Sequence, residues 1–240
     1  MIKEDKINDV LSKFDFNWVV PELNQMTFVG ICGQKGNGKG SAGDAIQAYL
    51  TKNKINSSIF NFADELKEVC LSKYGGDRSW WFGSLEQKES KHLELGLTYL
   101  NEKTPISARS IMEVEGEKIV SSDPLFLLKS WHNRVIDQYR YDPNSVVIAP
   151  DIRRDSEAAC IKYLGGTVLE TVNLNNSSQY ERTERVANCE MPVNRILIDR
   201  VIDTDNIELT KMAAVGYYKE YMEKKSNSFY MANARITGNS

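Results

Sequence analysis

Histidine is nearly absent: the chain has two, His92 and His132, among 240 residues. A histidine-rich metal site is therefore excluded, and the four cysteines do not replace it. Cys32, Cys70, Cys160 and Cys189 stand far apart and form no CxxC pair. The pattern predicts free thiols in a reducing cytoplasm and no protein-held metal. Long apolar runs are also missing. No segment approaches the ~18–20 apolar residues of a membrane span. The opening MIKEDKINDVLSKFDF is charged throughout and lacks the apolar stretch of a signal peptide. A soluble, cytoplasmic protein with no membrane partner is expected. Nor is there an excess of positive charge. Lys and Arg number 30 against 33 Asp and Glu, a net charge of -3. That balance argues against a nucleic-acid partner, which a basic surface would attract. The rest is ordinary, with 41% hydrophobic and 26% charged residues, and 240 residues suffice for one sizeable α/β domain.

What is present is a succession of short apolar strands and helix-length segments. Ile2, Ile7, Val10, Leu11 and Phe14 recur at helical spacing, so residues 3–14 read as an amphipathic helix punctuated by Pro21. With its flanks it makes an N-terminal arm, residues 1–26. TFVGIC (27–32) reads as a buried strand, 41–52 as a helix, SSIFNFA (57–63) as a strand and 64–74 as a helix. GGDRSWWFG (75–83) reads as a loop, 84–100 as a polar helix and 107–116 as a shorter one. Asp123-Pro124 is expected to open the next helix as N-cap and first turn. Leu125, Leu128, Trp131, Val135 and Tyr139 would face its core. SVVIA (145–149), 167–172 and RVIDTD (200–205) read as strands. Helices are expected at 155–164 and 207–225, followed by a poorly ordered tail, 226–240. Residues 173–192 are polar and basic, in the manner of a mobile lid. Alternating strands and helices predict a parallel sheet with helices on both faces.

The most informative stretch is FVGICGQKGNGKGS, residues 28–41. Gly33 and Gly38-Lys39 have the spacing G-x-x-x-x-G-K between a predicted strand and a predicted helix. Glycines let the backbone curl so that several N–H groups converge on phosphate oxygens, and the helix adds its positive end. Lys39 would reach the β and γ phosphates. The loop Gly33, Gln34, Lys35, Gly36, Asn37, Gly38, Lys39, Gly40 and Ser41 is thus a candidate ATP site. Its ending is unusual. Gly40 follows the lysine where a magnesium-binding hydroxyl is common, and Ser41 comes one position later. GKGS is similar to the GKGT ending of adenylate-kinase loops, in which Mg²⁺ is held largely by phosphates and water.

A second constellation lies in VVIAPDIRRDSEAACIKYLGGTVLETV: Asp151, Arg153, Arg154 and Glu157. A carboxylate just past a strand end sits where open parallel sheets bind ligands, and arginines beside it would clamp phosphate. The alternative is a surface turn laced by salt bridges. The string resembles the DxRxxxEaxxixxxGGxVixV segment of the phage deoxynucleoside monophosphate kinases. FNFADELKEVC (60–70), GSLEQKE (83–89), TPISARSIMEVEGEKI (104–119) and CEMPVNRILIDRVIDTD (189–205) resemble further segments of that family in the same order, spanning about residues 27–210.

The resemblance implies a P-loop nucleotide kinase fold with mobile acceptor-binding and lid segments, residues 27–225. It implies transfer of the γ-phosphoryl of ATP, with Mg²⁺, to a nucleoside or deoxynucleoside monophosphate. Lys39, Arg109, Asp151 and Arg153 would be catalytic. Lys67, Arg154, Arg182 and Arg185 would meet the substrate, the last two from the lid or, alternatively, as a solvated charge run. Asp151 would orient Mg²⁺, water or an arginine, or serve as a strand-end partner of Arg153. Trp80, Trp81 and Phe82 would stack on a base or pack beneath a loop. The family's His-x-Ser/Thr-Glu is replaced here by ANCE (187–190), which keeps only Glu190. Two other functions fit the same residues: a kinase of another small phosphorylated metabolite, and a non-catalytic nucleotide-binding or assembly protein. A homodimer is open.

Overall fold

The central strand is apolar without alternation because both of its faces are covered. In the computed structural model, which describes residues 2–34, 36–173 and 193–237 and the side chains of 4–34, 36–173 and 193–227, the chain opens with α1 (Ile2–Leu11) and a 3-10 turn (Pro21–Gln25). Then come β1 (Thr27–Gly33), α2 (Lys39–Lys52), β2 (Ser57–Ile59), α3 (Asp64–Tyr74), α4 (Arg78–Phe82) and α5 (Leu85–Glu89). A small antiparallel pair, β3 (Lys91–His92) and β4 (Ile106–Ser107), brackets α6 (Leu93–Tyr99). There follow α7 (Ala108–Ser122), α8 (Phe126–Tyr141), β5 (Val146–Ile152), α9 (Asp155–Tyr163) and β6 (Thr167–Val172). A 3-10 turn (Arg195–Leu197), β7 (Arg200–Asp203) and α10 (Ile207–Thr237) complete the described chain.

The main sheet has five parallel strands in the order β2-β5-β1-β6-β7. Side chains along β1 point alternately to its two faces. Val29 and Ile31 meet Ala42, Ile46 and Leu50 of α2 and Ala214 and Tyr218 of α10. Phe28 and Cys32 meet Leu128, Trp131 and Val135 of α8 and Ala158 and Ile161 of α9. Val10, Phe16, Val19 and Leu23 of the N-terminal arm are buried in that second cluster. The arm is therefore one wall of the core. Each such apolar side chain, fully buried, contributes about 1.5–3 kcal/mol.

Beyond the sheet lies a third cluster. Leu66, Cys70 and Tyr74 of α3 pack with Trp81, Leu95, Ala108, Ile111 and Met112. Its polar anchor is Glu115, buried, which accepts from Lys73 and Lys118. Burial opposes ionisation of Glu115, but the two lysines outweigh it and hold its carboxyl down at about 2.

Several expected boundaries move, each for a local reason. The strand over 57–63 ends at Ile59, because the N–H groups of Phe62 and Ala63 go to the Asp151 carboxylate instead of the sheet ladder. The loop 75–83 contains α4, which Asp77 caps by accepting from Ser79 N–H. The helix over 84–100 is two helices, since Lys91 and His92 between them pair with Ser107 and Ile106. The helix over 107–116 continues to Ser122. Gly116 is accommodated there because a Cβ on it would come within 3.0 Å of Leu66. Asp123-Pro124 forms a turn in which Asp123 accepts from Leu125 N–H, and the helix starts at Phe126. The last helix extends beyond 225 to Thr237. Most of the expected lid, 174–192, lies outside the described residues, as do Lys35, Arg182, Arg185 and ANCE.

Candidate active site

The glycine loop leaves the C-terminal end of β1 and enters α2 within five residues. Gly33 is held at φ +138, and a Cβ there would lie 2.4 Å from the Thr171 carbonyl oxygen. Only glycine satisfies both conditions. Gly38, at φ 73, is the N-cap of α2. Lys39 then turns back, and its Nζ donates to the carbonyls of Gly33 and Gln34. Asn37 is buried and ties the loop to β6 through Nδ2 to the Thr171 carbonyl, 3.4 Å. The chain thus curls around one ammonium at a helix N-terminus. That combination offers backbone N–H groups and a fixed cation to an anion. Gly40 faces open space, with nothing within 4 Å of a Cβ built on it.

The second group sits one strand away. Cys32 of β1 pairs with Ile152 of β5, so the loop departs beside the point where β5 delivers Arg153. After β1 the chain goes to β2, beyond β5; after β5 it crosses β1 to reach β6. Crevices at such reversals are where parallel sheets bind ligands. A cleft of ≈ 950 Å³, including space open to solvent, lies here. Phe62, Leu66, Met112, Val120 and Leu127 line it with apolar surface. Lys67, Lys88, Arg109, Arg153 and Arg154 line it with positive charge.

The carboxylates around the cleft are already engaged. Asp64 accepts from Lys67 at 2.6 Å and from Arg134 at 2.9 Å. Burial opposes its ionisation, yet these two cations hold its carboxyl below the ordinary range. Glu113 accepts from Arg109 Nε at 2.6 Å. Asp151 accepts from Phe62 N–H at 2.8 Å and Ala63 N–H at 3.0 Å, which fastens the corner between β2 and α3. The expected pairing of Asp151 with Arg153 is not among the ion pairs of the described residues. Glu157, buried at the foot of α9, accepts from the N–H groups of Arg153 and Arg154 at 2.7 and 3.2 Å. Burial, then the neighbouring Asp151 charge, pushes its carboxyl up to about 7.

The cations are left over. Among the described residues Lys88, Arg153 and Arg154 form no salt bridge. Arg109 Nη2 and Arg153 Nε are buried with no hydrogen-bond partner. Such atoms are costly unless a ligand meets them. Burial, then the charges of Lys67 and Arg109, lowers Lys88 to about 8. Unpaired cations suit the arrangement to an anion, and its apolar floor has the character of a surface for a flat organic group.

Of the residues expected from sequence, Lys67, Arg109, Asp151, Arg153 and Arg154 come together in the cleft, with Lys39 and the loop beside them. Lys88, Asp64, Asn61, Arg134 and Glu113 were not foreseen. The Asp64–Lys67 spacing of three and the Arg109–Glu113 spacing of four were their only local signals. The tryptophans do not line the cleft. Trp81 is fully buried and donates to the Gly75 carbonyl. Trp80 stacks on His92 with ring centroids 3.7 Å apart. Phe82 lies beneath Lys67 and Arg78, 5.3 and 4.0 Å from its centroid.

Among the described residues no group of three or more His, Cys, Asp or Glu could hold a metal ion. Cys32, Cys70 and Cys160 are buried free thiols. No helix among them is long and apolar enough to cross a membrane. No protein-family model and no curated protein matches the chain.

Proposed function

We propose that the protein is a P-loop phosphotransferase that moves the γ-phosphoryl group of ATP to a nucleoside monophosphate, with deoxynucleotides as the favoured acceptors. One observation carries the reading: a cleft with unpaired cations opens one strand away from a glycine loop that wraps a lysine. Two anion sites side by side are what transfer between two phosphates requires. The resemblance to phage deoxynucleoside monophosphate kinases supports the acceptor class.

The acceptor phosphate is already anionic, so no general base is needed. Its oxygen forms a bond to the γ-phosphorus as the bond to the β–γ bridging oxygen breaks. ADP and a nucleoside diphosphate result, with no covalent enzyme intermediate. The loop N–H groups and Lys39 hold the donor phosphates. Arg109 and Arg153 neutralise the charge shared between donor and acceptor. Lys67 and Arg154 border the acceptor phosphate, and Leu66, Met112 and Val120 hold its base. Asp151 keeps the β2–α3 corner in place and so positions Lys67. Among the described residues no side-chain group could hold a metal ion by itself, so Mg²⁺ would be held mainly by nucleotide phosphates and water, with the Ser41 hydroxyl as a protein oxygen. When bound, it would neutralise phosphate charge.

Coupled ADP release with ATP, Mg²⁺ and each ribo- and deoxynucleoside monophosphate tests the reading. Release that depends on at least one monophosphate is expected. A rate equal to background ATP hydrolysis for every acceptor would break it. Product analysis with other phosphorylated metabolites separates this reading from a metabolite kinase.

A further inference from the structure

Lys88 has no evident structural task. It lies on α5, a five-residue helix started by reciprocal bonds between Ser84 and Gln87. Half-buried, it lines the cleft with Lys67, Arg109 and Arg153. The charged groups around it come from every neighbouring element. α3 presents Asp64 and Lys67 and α7 presents Arg109 and Glu113; α4, packed against α5, carries Arg78, which is bonded to Glu68. The end of β5 and the start of α9 present Asp151, Arg153, Arg154 and Glu157. Asp64, Glu113, Asp151 and Glu157 each already accept from other groups. Among the described residues Lys88 forms no salt bridge, although Glu86 and Glu89 lie on its own helix.

We propose that Lys88 is an acceptor-binding residue whose ammonium meets the phosphate dianion of the monophosphate. The proposal rests on the phosphotransferase reading for the identity of the dianion. In the free protein, burial and three like charges set Lys88 at about 8. A bound dianion reverses the local charge and restores full protonation. Acceptor binding thereby becomes coupled to proton uptake. Affinity falls as pH rises above 8, because the neutral lysine must first gain a proton. The cleft selects the dianion over an uncharged nucleoside by the same interaction.

The test is calorimetry without ATP, in buffers of different ionisation enthalpy, at about pH 8.5, where nucleoside monophosphates are already dianionic. The probes are each common deoxynucleoside 5′-monophosphate and sulfate, a dianion that does not titrate in this range. Since burial and like charges lower Lys88 into this range, the wild-type protein should take up a fraction of a proton per bound dianion. Lys88→Arg keeps the charge and removes the titration, so it should bind with no uptake and with pH-independent affinity. Lys88→Met keeps the length without the charge, and should bind about tenfold more weakly at about pH 7.5. Equal affinity of the wild type and Lys88→Met for the probes, or no binding of any probe, would each overturn the proposal. Proton-linked binding without ADP release would instead sink the phosphotransferase reading and leave Lys88 in place.

Discussion

The glycine loop and the cation cleft lie side by side at one end of the sheet, yet they hold charge in opposite ways. The loop fastens one ammonium with its own carbonyls and offers backbone dipoles; Lys39 is held by Gly33 and Gln34. The cleft gathers side chains from α3, α5, α7, β5 and α9 and leaves several cations without a carboxylate. A site made of backbone is set by a few consecutive residues. A site made of side chains exists only once distant elements have packed. Substitutions should therefore act locally and sharply in the loop, and through the packing of neighbours in the cleft.

The largest expected effect is at Lys39. If the proposed reading holds, Lys39→Ala should lower phosphoryl transfer about 100- to 1,000-fold, while its circular dichroism stays near wild type. Substantial turnover in steady-state assays would remove the lysine from the donor site. Gly33→Ala comes next. Its Cβ would strike the Thr171 carbonyl at an unfavourable φ, costing about 2–4 kcal/mol. Thermal unfolding should fall by about 5–15 °C in a chain of this size. An unchanged midpoint would mean that the loop does not hug β6.

On the cleft side, Asp151→Asn replaces one of two accepting oxygens with an amide that faces a backbone donor. A loss of about 1–3 kcal/mol in denaturant unfolding is expected, together with a raised KM for the acceptor as Lys67 shifts. Full stability with lost activity would instead make Asp151 a purely chemical residue. Glu157→Gln should show a smaller, pH-dependent gain. The folded carboxyl titrates at about 7, above its ordinary 4.5. Its contribution is thus fully present below 4.5 and lost as pH rises through 7. The amide does not titrate, so the stability difference should move toward the variant by the order of 1 kcal/mol between about pH 4.5 and 8. A pH-independent difference would argue against a protonated Glu157. The smallest effect is at Gly40. A Cβ there has free space at a helical position, and Gly40→Ala should stabilise by about 0.5–1 kcal/mol. Destabilisation would show that the loop needs this glycine for its shape.

The parallel sheet was legible because β1 and β5 are buried on both faces and so appear as apolar runs between helix-length segments, while β6 mixes Val168, Leu169 and Val172 with Thr167, Glu170 and Thr171. The helices around the cleft were less so. α5 and α6 share one polar stretch, and only the pairing of Lys91 and His92 with a strand some 15 residues later divides them. The tandem tryptophans show the same limit. Their sequence permits stacking on a base or packing under a loop, and the Gly75 carbonyl and His92 ring decide for packing.

By itself, then, the sequence determined the loop: glycines at 33, 36 and 38 before Lys39 act through backbone conformation within eight residues. It determined a sheet with two covered faces as well, because hydrophobic runs carry their own burial. Tertiary structure alone decided the cleft. Lys67, Lys88, Arg109 and Arg153 lie on separate elements, and which of them finds a carboxylate depends on distances that only folding sets. Charge interaction weakens with separation in space, not along the chain.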